Sequence, residues 1–214
     1  MAPSVRVPQQ QRGIETRNRI LAAARNLFSA KGFHGTNSKE IAAAAGVSIG
    51  SFYSYFKNKK VLFMEVFKAY EHERVMQILR GQRFDDIDAP GARRAIVRNI
   101  IASILAAHDM SPAFEREAMV MCYADPEVEG FHTEIERQIY DQLVAFFRQF
   151  EDRLRVTDLE AAAVVVSNAV EIVVHHIKLF ETAVPEERLI DALTDMIHRY
   201  LFNDDTQSPG DPAS

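Results

Sequence analysis

Apolar residues recur at helical spacing along almost the whole chain, with polar residues on the opposite faces. Over residues 17–32, Ile20, Leu21, Ala24, Leu27 and Phe28 keep to one face, and Gly32 supplies a natural C-terminal stop. A short helix is expected at 39–45 with Ile41, Ala42 and Ala45 inward; Thr36, Asn37 and Ser38 are three alternative N-caps. Gly46 suits a turn at positive φ, and Ser48 suits the N-cap of a following helix. Phe52 and Phe56, four apart, share the inner face of that helix. A long helix starts at about Lys59 and continues to Leu79. Residues 83–91, with three aspartates, a proline and a glycine, read as a loop.

The remainder follows the same rhythm. Residues 92–108 carry the stripe Ile96, Val97, Ile100, Ile101, Ile104, Leu105. Pro112 fits the first turn of a short helix to about Tyr123. Asp125-Pro126 opens a long helix whose inner face is Val128, Phe131, Ile135, Ile139, Leu143, Phe146 and Phe150. Thr157-Asp158-Leu159-Glu160 has capping-box spacing and opens a helix to about Glu181. Pro185-Glu186-Glu187 starts the last one, with Leu189, Leu193, Met196, Ile197, Tyr200 and Leu201 on one side. Residues 203–214 are polar, with two prolines and a glycine, and are expected to be disordered. There is no strand pattern and no repeat, so the fold class is all-α.

The order helix, short helix, glycine turn, helix is that of a helix-turn-helix. The outer face of its last helix presents Ser48, Ile49, Gly50, Ser51, Tyr53, Ser54 and Tyr55, with Lys57 and Lys59 beyond and Thr36, Ser38 and Lys39 on the preceding turn. Hydroxyls, phenols, ammonium groups and helix N-termini are what proteins set against DNA phosphates, and a helix so anchored and decorated is shaped for a major groove. These twelve residues are the expected DNA-binding set; Arg17 and Arg19 of the first helix, and Arg6 and Arg12 of an N-terminal arm, are further candidates.

Gly32-Phe33, Thr36, Ile41-Ala42, Ala45-Gly46-Val47-Ser48, Gly50, Phe52-Tyr53, Tyr55-Phe56, Lys59 and Leu62 together resemble the N-terminal domain of the tetracycline-repressor (TetR) family. The match runs without a gap from about Arg17 to Phe67. The resemblance implies a helix-turn-helix DNA-binding domain, here residues 13–60, followed by a helical-bundle ligand-binding and dimerisation domain, 61–203. Residues 1–12 and 204–214 are then flexible tails. It also implies that the two C-terminal helices pair with their mates in a four-helix dimer interface.

Charge sharpens the division. The chain carries a net −5, yet residues 1–60 hold ten Lys/Arg against two Asp/Glu, net +8, and residues 61–214 hold fifteen against twenty-eight, net −13. A basic head on an acidic body is the footprint of a DNA-binding domain with a sensing or dimerising partner. One cysteine, Cys122, gives no disulfide framework; no signal peptide is apparent, and the most apolar stretch, 159–180, is interrupted by Glu160, Asn168, Glu171, His175, His176 and Lys178. A cytoplasmic location is expected.

That same stretch is apolar on nearly every side, so a second chain is its natural cover, and a homodimer through 159–181 and 189–201 is expected. Asn168, Glu171 and His175 form a polar stripe on it. One reading is a structural network that satisfies itself. The other is the polar anchor of an effector pocket completed by Ile100, Ile104, His108, Phe146, Phe147 and Phe150, which favours a mainly apolar small molecule. No metal and no cofactor are expected: His175 and His176 point apart on a helix, and no second cluster joins them or Cys122. Three functions stay open: a repressor released by a ligand; a DNA-binding dimer that is constitutive or governed by a partner protein; and a helical-bundle enzyme. The last lacks support, since a di-metal carboxylate site needs two Glu-x-x-His motifs and only Glu129 to His132 supplies one.

Overall fold

The computed structural model describes residues 11–80, 87–180 and 182–202. Among them are nine α-helices and no named strand: α1 (Gln11–Lys31), α2 (Ser38–Ala44), α3 (Ile49–Tyr55), α4 (Lys59–Leu79), α5 (Ala92–His108), α6 (Pro112–Ala124), α7 (Pro126–Arg148), α8 (Leu159–Leu179) and α9 (Glu186–Leu201). The all-α expectation holds. The tail at 204–214 and arm residue Arg6 lie outside the described residues, as do residues 83–86 of the loop at 83–91. Arg12 lies in the first turn of α1, not in an arm.

The chain divides into two compact units, one of Met1–Glu73 with Ser111–His132, the other of Arg74–Met110 with Thr133–Ser214. The expected division at residue 60 follows chain order; the packing does not. In the first unit the core is aromatic. Phe28 meets Phe63 edge-on at 5.3 Å between centroids, and Phe63 meets Phe33 at 5.4 Å and Phe114 of α6 at 5.7 Å. Phe28, Phe63 and Phe114 are fully buried, each contributing about 1.5–3 kcal/mol by area. α6 therefore joins the head's core.

Two glycines shape this unit. Gly32 closes α1 at φ +72°, and Gly46 turns the chain between α2 and α3 at φ +65°, where a Cβ is strained. Of the three N-cap candidates for α2, Asn37 is the one used. Its side chain accepts from the amides of Lys39 and Glu40, and Glu40 reaches back to the Asn37 amide, completing a capping box. Ser48 caps α3 by accepting from the Ser51 amide at 3.0 Å. Phe52 and Phe56 are buried as expected.

The second unit packs α5, α8 and α9 around Val97, Ile101, Leu105, Ala163, Val174, Ile190, Leu193 and Ile197, with Phe147 of α7. α8 begins one residue later than the expected capping box. Asp158, not Thr157, is the N-cap, accepting from the Ala161 amide at 2.9 Å. By length and composition α8 is long and apolar enough to cross a membrane, with a mean hydropathy of 1.4, so the interruptions in its sequence do not disqualify it on that criterion. Its Ala162, Ala163, Val170 and Val174 are buried within the unit. On α9, Leu193, Ile197 and Leu201 face inward, whereas Met196 and Tyr200 stand exposed.

Candidate nucleic-acid interface and polar cluster

In the first unit, α3 is fixed from beneath by Phe52 and Phe56, and its opposite face is open. Ser48, Ile49, Gly50, Tyr53 and Ser54 are exposed, Ser51 and Tyr55 half-buried; Lys39 and Lys57 are exposed at its flanks, and Ser38 is half-buried in the first turn of α2. Tyr53 is 47% exposed and meets Phe52 edge-on, an arrangement that steadies its ring. Ser48's oxygen already serves as the cap, and Ser54 donates to the Ser51 carbonyl at 2.6 Å.

Thr36 and Lys59 behave differently from the sequence expectation. Thr36 is buried, and its hydroxyl donates to the Gly32 carbonyl at 2.8 Å. The Lys59 ammonium donates to the carbonyls of Phe33 (2.5 Å) and Thr36 (2.6 Å) and sits 4.1 Å from the centroid of the Phe33 ring. Burial pulls its pKa below the ordinary lysine value, with the charge of Glu117 opposing. Both residues spend their donors on the turn that positions α2, where a phosphate contact would need those donors free. Arg17 is likewise engaged, pairing with Glu65 at 2.9 Å above the Phe56 ring. Arg19 is exposed beside the Gly46 turn.

In the second unit, three of the nine residues expected at an effector site converge. Glu171 and His175, one turn apart on α8, bring Oε1 and Nε2 within 3.3 Å. From α5, His108 Nε2 lies 3.6 Å from the same carboxylate oxygen, and the two imidazoles meet edge-on at 5.3 Å. His108 is fully buried, and its Nδ1 lies 2.8 Å from the Ile104 carbonyl, which makes it the N–H donor there. Burial alone would raise the Glu171 pKa. The Arg74 charge, with the adjacent polar rings of His108 and His175, overcomes that and holds it well below the usual carboxylate range.

Of the other six, Ile104 meets the group through its backbone carbonyl, and the contacts described for the rest lie elsewhere. Asn168 is exposed; its amide donates to the Tyr140 hydroxyl at 3.2 Å and the Val164 carbonyl at 2.8 Å. Phe146 gathers Phe147 and Phe150 at 6.3 and 5.2 Å, and Phe147 belongs to the apolar core. Ile100 and Ile104 are half-buried on α5. Two open clefts, of about 350 and 560 Å³, are lined by other residues: the first by Arg98, Leu105, Lys178 and Ile190 among others, the second by Arg155–Asp158, Arg199 and Tyr200.

Two family descriptions match the chain: "Bacterial regulatory proteins, tetR family" over residues 20–66, and "Tetracyclin repressor-like, C-terminal domain" over residues 94–201. The second alone spans half of the sequence. The chain belongs to the TetR family. This TetR-family chain is 41% identical over 69 residues to the uncharacterized HTH-type regulator YdgC of Bacillus subtilis, a match covering 32% of this chain and 35% of that one. It is 35% identical over 97 residues to the HTH-type regulator AcrR of Shigella flexneri, covering 45% and 43%. The chain thus spans less than half the length of these curated relatives. In fold it is similar to SmeT, the repressor of the Stenotrophomonas maltophilia multidrug efflux pump SmeDEF, with a TM-score of 0.67, 22% identity, and 92% and 96% of the two chains covered.

One residue of the TetR-family body escaped sequence reasoning. Arg74 of α4 places Nη1 2.8 Å from Glu171 Oε1 and 3.0 Å from His108 Nε2. A signal existed. Leu62, Val66, Tyr70 and Arg74 are spaced by four along α4 and all are buried, so an arginine continues an inward stripe.

Proposed function

We propose that this TetR-family regulator is a repressor, that it binds a pseudo-palindromic operator as a homodimer in the cytoplasm, and that a small, mainly apolar molecule releases it. The observation that carries the DNA-binding half is the outward face of α3: exposed hydroxyls and a held tyrosine on a helix anchored by two buried phenylalanines, in a basic head. Two such helices enter successive major grooves, which gives an operator with two-fold symmetry. Exposed apolar side chains along α8 and α9, among them Val165, Ile172, Met196 and Tyr200, support pairing with a second copy. The aliphatic and aromatic residues of α5 and α7 support an apolar effector. The effector acts by binding the DNA-incompetent state more tightly, so that the population shifts away from the operator-bound form.

The test is selection of binding sites from a random duplex library, followed by affinity measurements against salt. A two-fold symmetric motif is expected; recovery of no preferred sequence overturns the reading. Among single changes, Lys57→Ala should lower the salt slope by about one unit, and Tyr53→Phe should weaken operator and random DNA alike. An effect of Tyr53→Phe confined to the operator would overturn its phosphate role. A second reading, a DNA-binding dimer without an organic effector, is favoured by one observation: the polar groups of the Glu171 cluster partner one another and Arg74. Release of operator by a member of a panel of apolar and amphipathic compounds decides against it.

A further inference from the structure

We propose that His108, Glu171 and His175 form a binding site for one divalent transition-metal ion of zinc's class, and that Arg74 guards it. The donor set and its spacing carry the inference. Zinc takes imidazole nitrogen and carboxylate oxygen at about 2.0–2.2 Å, so adjacent donors in a tetrahedral shell stand roughly 3.3–3.5 Å apart. Here the Glu171 oxygen is 3.3 Å from His175 Nε2 and 3.6 Å from His108 Nε2, and all the donor atoms lie within 4.8 Å of one another. The i, i+4 step on α8 is what puts a carboxylate and an imidazole on one helical face.

The supporting geometry is also that of a ligand site. His108 donates Nδ1–H to the Ile104 carbonyl, which fixes the tautomer and turns the Nε2 lone pair toward the cluster. Both donor-bearing elements, α5 and α8, are regular helices packed in one core. The Glu171 side chain retains a third of its surface exposed, which gives an ion a way in.

Arg74 is the cation that stands against these donors. Its guanidinium stands on both the partly exposed carboxylate and the fully buried His108, supplying a positive charge to the cluster. A divalent ion within about 4 Å of that guanidinium would be strongly repelled, so ion and arginine exclude each other. Binding therefore means exchange of one cation for another, and the ion's apparent affinity is reduced by the fraction of molecules in which Arg74 occupies the site. That competition separates a metal site from a purely structural cluster.

The experiment titrates the full-length chain with Zn(II) against a chromophoric chelator and, separately, with Co(II), whose visible absorption is intense in four-coordinate geometry. One ion per chain is expected, with no thiolate charge-transfer band. Glu171→Gln and His175→Ala should each weaken Zn(II) binding by at least ten-fold, while His176→Ala, at an exposed position on the same helix, leaves it unchanged. Arg74→Met should tighten binding by about ten-fold. Circular dichroism confirms that each variant keeps its helices, and the Co(II) spectrum of the unaltered chain decides the matter if one does not. Absence of stoichiometric binding, equal binding by the triad variants, or weaker binding by Arg74→Met overturns the proposal.

Discussion

The helix-turn-helix head depends on single residues whose roles are separable by sign. Gly46 sits at φ +65°, and a Cβ there would meet nothing nearer than Arg19 Nη1 at 3.6 Å, so the backbone alone sets the cost of a side chain. Gly50 lies inside α3 at ordinary helical φ, and its added Cβ would touch only Ser48 Oγ at 3.9 Å. Gly46→Ala should therefore lower stability by about 1–2 kcal/mol, and Gly50→Ala should leave it unchanged or raise it by up to ~1 kcal/mol. Denaturant midpoints check both, and equal destabilisation would refute the assignment of the turn. Operator affinity should fall for Gly50→Ala despite its stability, if the proposed groove contact is made there. Gly46 and Ser48 were legible in sequence because their partners lie within three residues. Thr36 and Lys59 were not: a hydroxyl and an ammonium look alike on paper whether they face a phosphate or a carbonyl. Only the fold showed Lys59 reaching 26 residues back to Phe33.

At the level of elements, helix existence and most boundaries were readable, because stripes and caps are local signals. What was misread was which cap is used. Thr157-Asp158-Leu159-Glu160 has the right spacing for a threonine cap, yet Asp158 accepts from the Ala161 amide, and the helix starts at Leu159. Two adjacent residues of capping type compete, and the carboxylate also favours the positive end of the helix dipole. Asp158→Ala should thus cost about 1 kcal/mol, a fall of roughly 2–4 °C in the melting temperature, while Thr157→Ala should cost a few tenths at most. Thermal melts with the costs reversed would restore the capping box. The placement of α6 shows a different limit. Its amphipathic stripe announces a helix, but nothing local says that Phe114 packs on Phe63 of the head. The cluster at Glu171 was legible in part for the same reason. Glu171 and His175 share a helix face, His108 ends another stripe, but Arg74 lies 97 residues from its carboxylate partner.

At the scale of the whole molecule, the question is what covers the apolar residues that one chain leaves open. Val164 and Val165 in the first half of α8, Ile172 in its second half, Phe180 at its end, and Met196 and Tyr200 on α9 are all exposed, whereas Val170, Val174, Leu193 and Ile197 on the same helices are buried. A helix apolar on both faces, with only one face covered, matches the proposal of a homodimer through α8 and α9. Ile172 is the decisive position, because it is 66% exposed in the single chain. If no partner covers it, Ile172→Glu is a surface change worth at most about 0.5 kcal/mol in stability. If a second copy covers it, each subunit buries an unpaired carboxylate, at roughly 3–5 kcal/mol. With two such carboxylates per dimer, association weakens by roughly four to seven orders of magnitude. Sedimentation at micromolar concentration should show the unaltered chain as a dimer and Ile172→Glu as a monomer of unchanged helicity. Val174→Glu, aimed into the core of its own chain, should instead unfold it. The monomeric variant should also lose affinity for a two-fold symmetric operator while keeping weak binding to a half-site, since the second recognition helix then arrives as a separate molecule. A dimer that survives Ile172→Glu would move the interface off this face of α8.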